Sequence, residues 1–141
     1  MGLDRDSYTG EDILGFLRSR EERWQESAVH LCKANRLKAN NPEILRCLGW
    51  SLLNAGERAQ GIVTMERALN IDSESALTLC DLGIAYMQVR HFAKSKALFL
   101  RALDLEPGNQ RAQECIQALE RLRSEGDQGE DVAMLIRFIE S

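Results

Sequence analysis

The dipeptide Leu-Gly stands at residues 14–15, 48–49 and 82–83, recurring at one constant interval in a chain that has only ten glycines. A fixed period of this size constrains the fold more than any other feature. One such unit cannot bury its apolar face alone, so successive units have to stack. Sliding the sequence against itself by 34 also aligns Ala34, Ala68 and Ala102, and three residues before them the bulky Leu31, Met65 and Phe99. Leu37, Ile71 and Leu105 fall in register, as do the small residues Ser27, Gly61 and Ser95. The units therefore run from Tyr8 to Asn41, from Pro42 to Ser75 and from Ala76 to Asn109.

Each unit reads as two helices with a short breaker between them. Asn41-Pro42-Glu43 is a helix start, with Asn as cap, Pro at the first helical position and an acid at the positive helix end. Gly56-Glu57 breaks that helix, and a second runs to about Asn70. The following unit predicts helices over 76–89 and 92–105, stopped by Pro107-Gly108-Asn109. No alternating strand pattern competes. Leu-Gly then has a physical purpose. Glycine inside a helix costs about 1 kcal/mol relative to alanine, and that cost is offset where two helices cross too closely for a side chain. Small residues and the aligned alanines of the partner helix complete such a contact.

The residues Leu82, Gly83, Tyr86, Phe99, Ala102 and Pro107, at offsets 7, 8, 11, 24, 27 and 32 of a 34-residue unit, resemble the tetratricopeptide repeat. The copy at 76–109 matches best. In the preceding copy Leu52 stands for the Tyr, Gly61 for the small Ala and Ser73 for the Pro. In the first copy Leu14, Gly15, Ser27, Leu31 and Ala34 match, and the Trp of offset 4 is Glu11, Leu45 and Leu79 in the three copies. The resemblance implies an all-α fold, a right-handed solenoid of three helical hairpins closed by a C-terminal capping helix. The expected organisation is a tail at 1–9, a degenerate first repeat at 10–41, repeats at 42–75 and 76–109, and a capping helix at 110–124. A linker at 125–130 and a short apolar helix at 131–141 follow.

In such an array the first helix of each unit lines a concave face. On the helix from 76, Thr78, Asp81 and Gln88 share an arc of about eighty degrees at ~100° per residue. Leu79, Leu82, Gly83 and Tyr86 face the hairpin partner, which leaves Leu77, Cys80, Ile84 and Met87 as a separate apolar stripe that hairpin packing does not use. The expected partner-binding groove has a floor of Trp50, Leu53, Leu77, Cys80, Ile84 and Met87. Arg46, Arg111 and Glu114 stand at equivalent positions, with the two arginines placed to meet acidic or main-chain groups. Trp50 has a second reading, as packing between neighbouring units. The carboxylate clamp of the chaperone-binding members is not matched. Its positions hold Arg46, Trp50, Asp81, Arg111 and Cys115, and Asp81 would repel a terminal carboxylate.

The segment 131–141 carries Val132, Leu135, Ile136 and Ile139 on one helical face, widened by Met134 and Phe138. Ten residues are too few for a stable isolated helix. The segment is therefore expected to cover apolar repeat surface in its own chain or a neighbour's, or to pack as one more capping helix, and removing residues 126–141 should expose apolar surface.

Composition narrows the function classes. With 44% apolar and 28% charged residues the chain is expected to be globular. Its net charge of −4, with Arg18-Ser19-Arg20 and Arg121-Leu122-Arg123 broken by acids, does not suit a phosphate backbone. The longest fully apolar run, Val132–Ile136, is far short of the ~20 residues of a membrane span, and the N-terminus has no signal pattern, so a cytoplasmic chain is expected. Met1-Gly2 with Asp6 departs from the myristoylation motif. Cys32, Cys47, Cys80 and Cys115 match no zinc or redox spacing and read as small packing residues. Neither His30 nor His91 has ligands near it in sequence, and no phosphate loop or nucleophile elbow occurs. The expectation is a non-enzymatic, cofactor-free and metal-free adaptor binding a peptide or amphipathic helix of another protein. The alternative, from resemblance to small acidic three-repeat secretion chaperones, is a chaperone that keeps a hydrophobic subunit soluble.

Overall fold

The structure, a computed structural model, describes residues 23–125. The expected tail 1–9, the first part of the 10–41 unit with Leu14 and Gly15, the linker beyond Glu125 and the segment 131–141 lie outside the described residues. Six α-helices and no strand occur among the described residues: α1 (Trp24–Leu37), α2 (Pro42–Asn54), α3 (Arg58–Ile71), α4 (Ala76–Gln88), α5 (Phe92–Leu105) and α6 (Gln110–Glu125). The chain divides after Ser73 into two units.

In the first unit α2 starts where the sequence predicts. The Asn41 side chain accepts hydrogen bonds from the Glu43 and Ile44 backbone N–H groups at 3.0 and 3.1 Å, and Pro42 supplies the first helical residue. The chain turns at Gly56, whose φ of +97° is open to glycine and strained for other residues. There the Glu57 N–H reaches back to the Leu52 carbonyl at 2.9 Å, a helix-ending bond that satisfies an orphaned acceptor. Helices α2 and α3 then pack backbone to backbone. A Cβ on Gly61 would lie 2.7 Å from the Gly49 carbonyl oxygen and 2.9 Å from the Leu53 nitrogen, and a Cβ on Gly49 would strike the Met65 side chain. On the other side of α2, Ser27 and Ser51 share a buried hydroxyl hydrogen bond of 2.7 Å. Ala28, Leu31, Ala34, Ile44, Leu48 and Leu52 form one apolar cluster with Cys47 packed against it. Leu31, Leu45, Leu53 and Met65 are fully buried. Each such side chain contributes about 1.5–3 kcal/mol of burial.

The second unit solves the same problem with different atoms. Ser75 caps α4 by accepting from the Thr78 N–H at 3.1 Å. The turn into α5 is made by Arg90 at φ +66°, with the His91 N–H bonded to the Tyr86 carbonyl at 2.9 Å. A Cβ on Gly83 would fall 2.7 Å from the Phe99 ring, so the ring occupies the space that the glycine vacates. Ser95 Oγ donates to the Gly83 carbonyl at 2.7 Å inside the same contact. Asn109 caps α6, accepting from the Ala112 N–H at 2.9 Å.

The backbone itself keeps the step of the sequence repeat. Asn41, Ser75 and Asn109 accept the capping bonds of α2, α4 and α6. The N–H groups of Lys38, Asp72 and Glu106 close the ends of α1, α3 and α5 on the carbonyls of Ala34, Ala68 and Ala102. These three alanines are fully buried, while Leu37, Ile71 and Leu105, also in register, are exposed at helix ends.

Candidate interaction site

Of the nine expected groove residues, Arg46, Trp50 and Leu53 belong to α2 and the other six to α4 and α6 of the second unit. On α2, Arg46 and Trp50 are half-buried and Leu53 is buried. The Arg46 guanidinium lies 3.4 Å from Cys47 Sγ, and the Trp50 carbonyl accepts from the Asn54 amide at 2.8 Å.

On α4 the stripe divides. Leu77, in the first turn, is 51% exposed, whereas Cys80, Ile84 and Met87 are buried. Nearly the whole circumference of α4 is enclosed, from Ala76 through Met87 with Leu77 the exception. At Cys80 the neighbouring group is visible: its Sγ lies 3.9 Å from the Asn109 side-chain oxygen at the start of α6. Burial pushes the Cys80 thiol up to about 11, with Arg111 working in the opposite direction. Burial likewise pushes the Cys115 thiol up to about 12. All four cysteines are free thiols, and these two are held protonated at neutral pH.

Arg111, expected to reach toward an external acid, finds one in its own unit. Its Nη1 donates to Asp81 Oδ1 at 2.7 Å, with the Asp81 side chain 4% exposed and that of Arg111 32% exposed. A carboxylate this enclosed requires a cation, and Arg111 supplies it while clamping α6 to α4. Asp81, read from the sequence as a source of repulsion, is therefore a neutralised structural acid. Glu114 is exposed one turn along α6 and accepts from the Gln110 side chain at 3.1 Å.

Three features escape a reading of periodicity. The Asp81–Arg111 pair joins two helices that are not consecutive in the chain and belongs to no local pattern. Tyr86 stacks on His91 with ring centroids 5.9 Å apart, and the Lys94 ammonium sits 5.0 Å from the Tyr86 centroid, a roofed aromatic beside the α4–α5 turn. A cavity of about 410 Å³ lies between the start of α1 and the end of α2, lined by Arg23, Trp24, Gln25, Glu26, Asn54 and Ala55, with Arg23 and Glu26 paired at 2.7 Å. Ser75 and Asn109 as caps are within reach of the sequence, because both stand one and two repeat steps beyond Asn41.

No family model matches the sequence, and no curated protein matches it. Among solved structures, the chain is similar to the tetratricopeptide-repeat domain of Arabidopsis OM64, with 20% sequence identity, a TM-score of 0.75, and 79% of this chain and 92% of that chain covered. The chain has the tetratricopeptide-repeat fold. Within that fold the glycines of the phased Leu-Gly pairs at 48–49 and 82–83 stand where a Cβ would meet the second helix of its unit, Met65 and Gly61 at Gly49 and the Phe99 ring at Gly83. No helix among the described residues is long and apolar enough to cross a membrane.

Proposed function

We propose that the chain is a non-catalytic protein-interaction module that binds a peptide or amphipathic helix of another protein. The reading is carried by the tetratricopeptide-repeat fold together with a large apolar side chain left in solvent on a first helix, Leu77 at 51% exposure. On this reading residues 10–41, 42–75 and 76–109 are three repeats, 110–124 is the cap, and the partner is met in the cytoplasm. Arg46, Trp50, Leu77, Arg111 and Glu114 supply the accessible contacts. Leu53 in the first unit, and Cys80, Ile84 and Met87 in the second, are buried and act within their own unit, as support for its accessible contacts. Aromatic and arginine side chains at such positions dominate binding energy.

Affinity capture from lysate with the intact chain beside a Trp50→Ala, Leu77→Asp double variant tests the proposal. Neither position is fully buried, so the fold tolerates the change, and loss of captured partners is expected; equal capture by both proteins would overturn the assignment. A second reading, a small secretion chaperone, draws on Val29, Leu37, Val63 and Ile71, large apolar side chains exposed in the first unit. It requires a one-to-one complex with a subunit that is insoluble alone.

A further inference from the structure

Helices α1 and α3 carry on their outer side a pattern that hairpin packing does not use. On α1, Val29, Lys33 and Leu37 stand four residues apart, and 34 residues further on Val63, Arg67 and Ile71 stand in the same order on α3. All six side chains are exposed, the four apolar ones by 45–65%. A step of four residues turns a helix by ~40° and advances it by ~6 Å, so each trio forms one row about 12 Å long on a narrow arc. A third row on α5, Ala97, Arg101 and Leu105, is exposed in the same order with a smaller first member. Single exposed apolar residues need no explanation, but an apolar, cationic, apolar row repeated in register is a surface of defined chemistry.

Charge fits that surface to one kind of partner. Helices α1 and α3 hold Lys33, Arg36, Arg58 and Arg67 against two acids, in a chain whose net charge is −4. Of those acids, Glu26 is paired with Arg23 at 2.7 Å and Glu66 is half-buried. Neither Lys33 nor Arg67 has an ion-pair or hydrogen-bond partner among the described residues. Rows at a four-residue step are the ridges that pack into the grooves of a second helix in the commonest class of helix crossing. We infer that the rows on α1 and α3 are docking ridges for an amphipathic helix of a partner protein, one that sets a carboxylate between two apolar side chains at the same four-residue spacing. A lipid bilayer is the poorer match. The cation lies in the middle of each row, where insertion would draw it toward hydrocarbon, the rows have no Trp or Tyr, and the chain as a whole is acidic. The inference goes beyond the proposed interaction reading, whose accessible contacts Trp50 and Leu77 lie on α2 and α4.

Fluorescence anisotropy with the full chain tests it. The probe is a labelled, stapled helical peptide with Leu, Glu and Leu at i, i+4 and i+8 on a background of Ala and Gln, set beside the same peptide with Lys in place of Glu. The Glu peptide is expected to bind about three- to tenfold tighter than the Lys peptide, the scale of an exposed ion pair exchanged for a repulsion. Lys33→Glu with Arg67→Glu should reverse that order. Leu37→Ser with Ile71→Ser, at exposed positions that the fold does not need, should weaken the Glu peptide at least about fivefold. The Trp50→Ala, Leu77→Asp variant should bind it as the wild type does. Equal affinity for the two peptides, no binding of the Glu peptide, undiminished binding by the Leu37, Ile71 variant, or loss confined to the Trp50, Leu77 variant would each overturn the inference. So would binding to vesicles of phosphatidylserine and phosphatidylcholine in place of the peptide, which would identify a lipid surface as the occupant. The capture experiment reads other side chains, so failure of either test leaves the other standing.

Discussion

Gly61 stands so close to Gly49 that a Cβ on the first would lie 2.7 Å from the carbonyl oxygen of the second. The obstructing atoms are backbone, which cannot swing aside as a side chain can. Alanine is a better helix former than glycine by about 1 kcal/mol, so Gly61→Ala would stabilise an isolated α3. In the folded unit it forces α2 and α3 apart, and overpacking costs about 1–3 kcal/mol. Urea denaturation is expected to show net destabilisation; a gain in stability would mean that the crossing is looser than this.

Arg111→Ala should destabilise the chain by about 1–3 kcal/mol, less than the about 3–5 of a fully buried pair because the Arg111 side chain keeps 32% of its exposure. The loss arises from leaving the Asp81 carboxylate enclosed without a cation. Replacing both partners by leucine removes that penalty and should recover much of the stability. A double variant as unstable as the single one would show that the pair holds α6 through geometry rather than charge.

Arg90 holds the position that Gly56 holds in the first unit, at φ +66° where a side chain costs about 1 kcal/mol. Arg90→Gly relieves that strain while giving the unfolded chain more freedom, for a net gain of up to about 1 kcal/mol. Gly56→Ala should move stability the other way by a similar amount. Paired thermal melts of the two variants check both signs.

Cys80 and Cys115 have folded pKa values raised by burial to about 11 and about 12, above the ordinary thiol value near 9. A group whose pKa is raised on folding contributes stability that is complete below its unfolded pKa and is lost as pH rises through the folded one. Stability should therefore decline between about pH 9 and 12, and the decline should flatten in a Cys80→Ala, Cys115→Ala protein. At neutral pH a thiol reagent should label the exposed Cys32 first and reach Cys80 and Cys115 only after unfolding.

The parts of the fold that the sequence makes legible are those encoded within one unit. Leu-Gly, the small partners Gly61 and Ser95, and the buried Ala34, Ala68 and Ala102 recur at one interval because close crossings admit few residue types. The Asn41 cap and the helices over 76–88 and 92–105 follow from local chemistry of the same kind. Helical angle gives the direction of a side chain but not what lies in that direction. Leu77 and Ile84 are seven residues apart and point almost the same way, yet one is half in solvent and the other is enclosed. Arg111 reads as a reaching cation in the sequence because its acid lies far upstream on another helix, a separation at which spacing carries no information. Register also does not imply burial, as the exposed Leu37, Ile71 and Leu105 demonstrate.

Asn41, Ser75 and Asn109 each start a helix with an oxygen of their own, within three residues of the amides they serve. Each repeated block thus ends on the residue that caps the first helix of the next, so the initiation signal is handed forward at every step of the repeat. Duplication or excision of a whole block between two such oxygens leaves the first helix of every remaining block with its starting oxygen, so an architecture of this kind can change in length by copying, without a fresh cap at each joint.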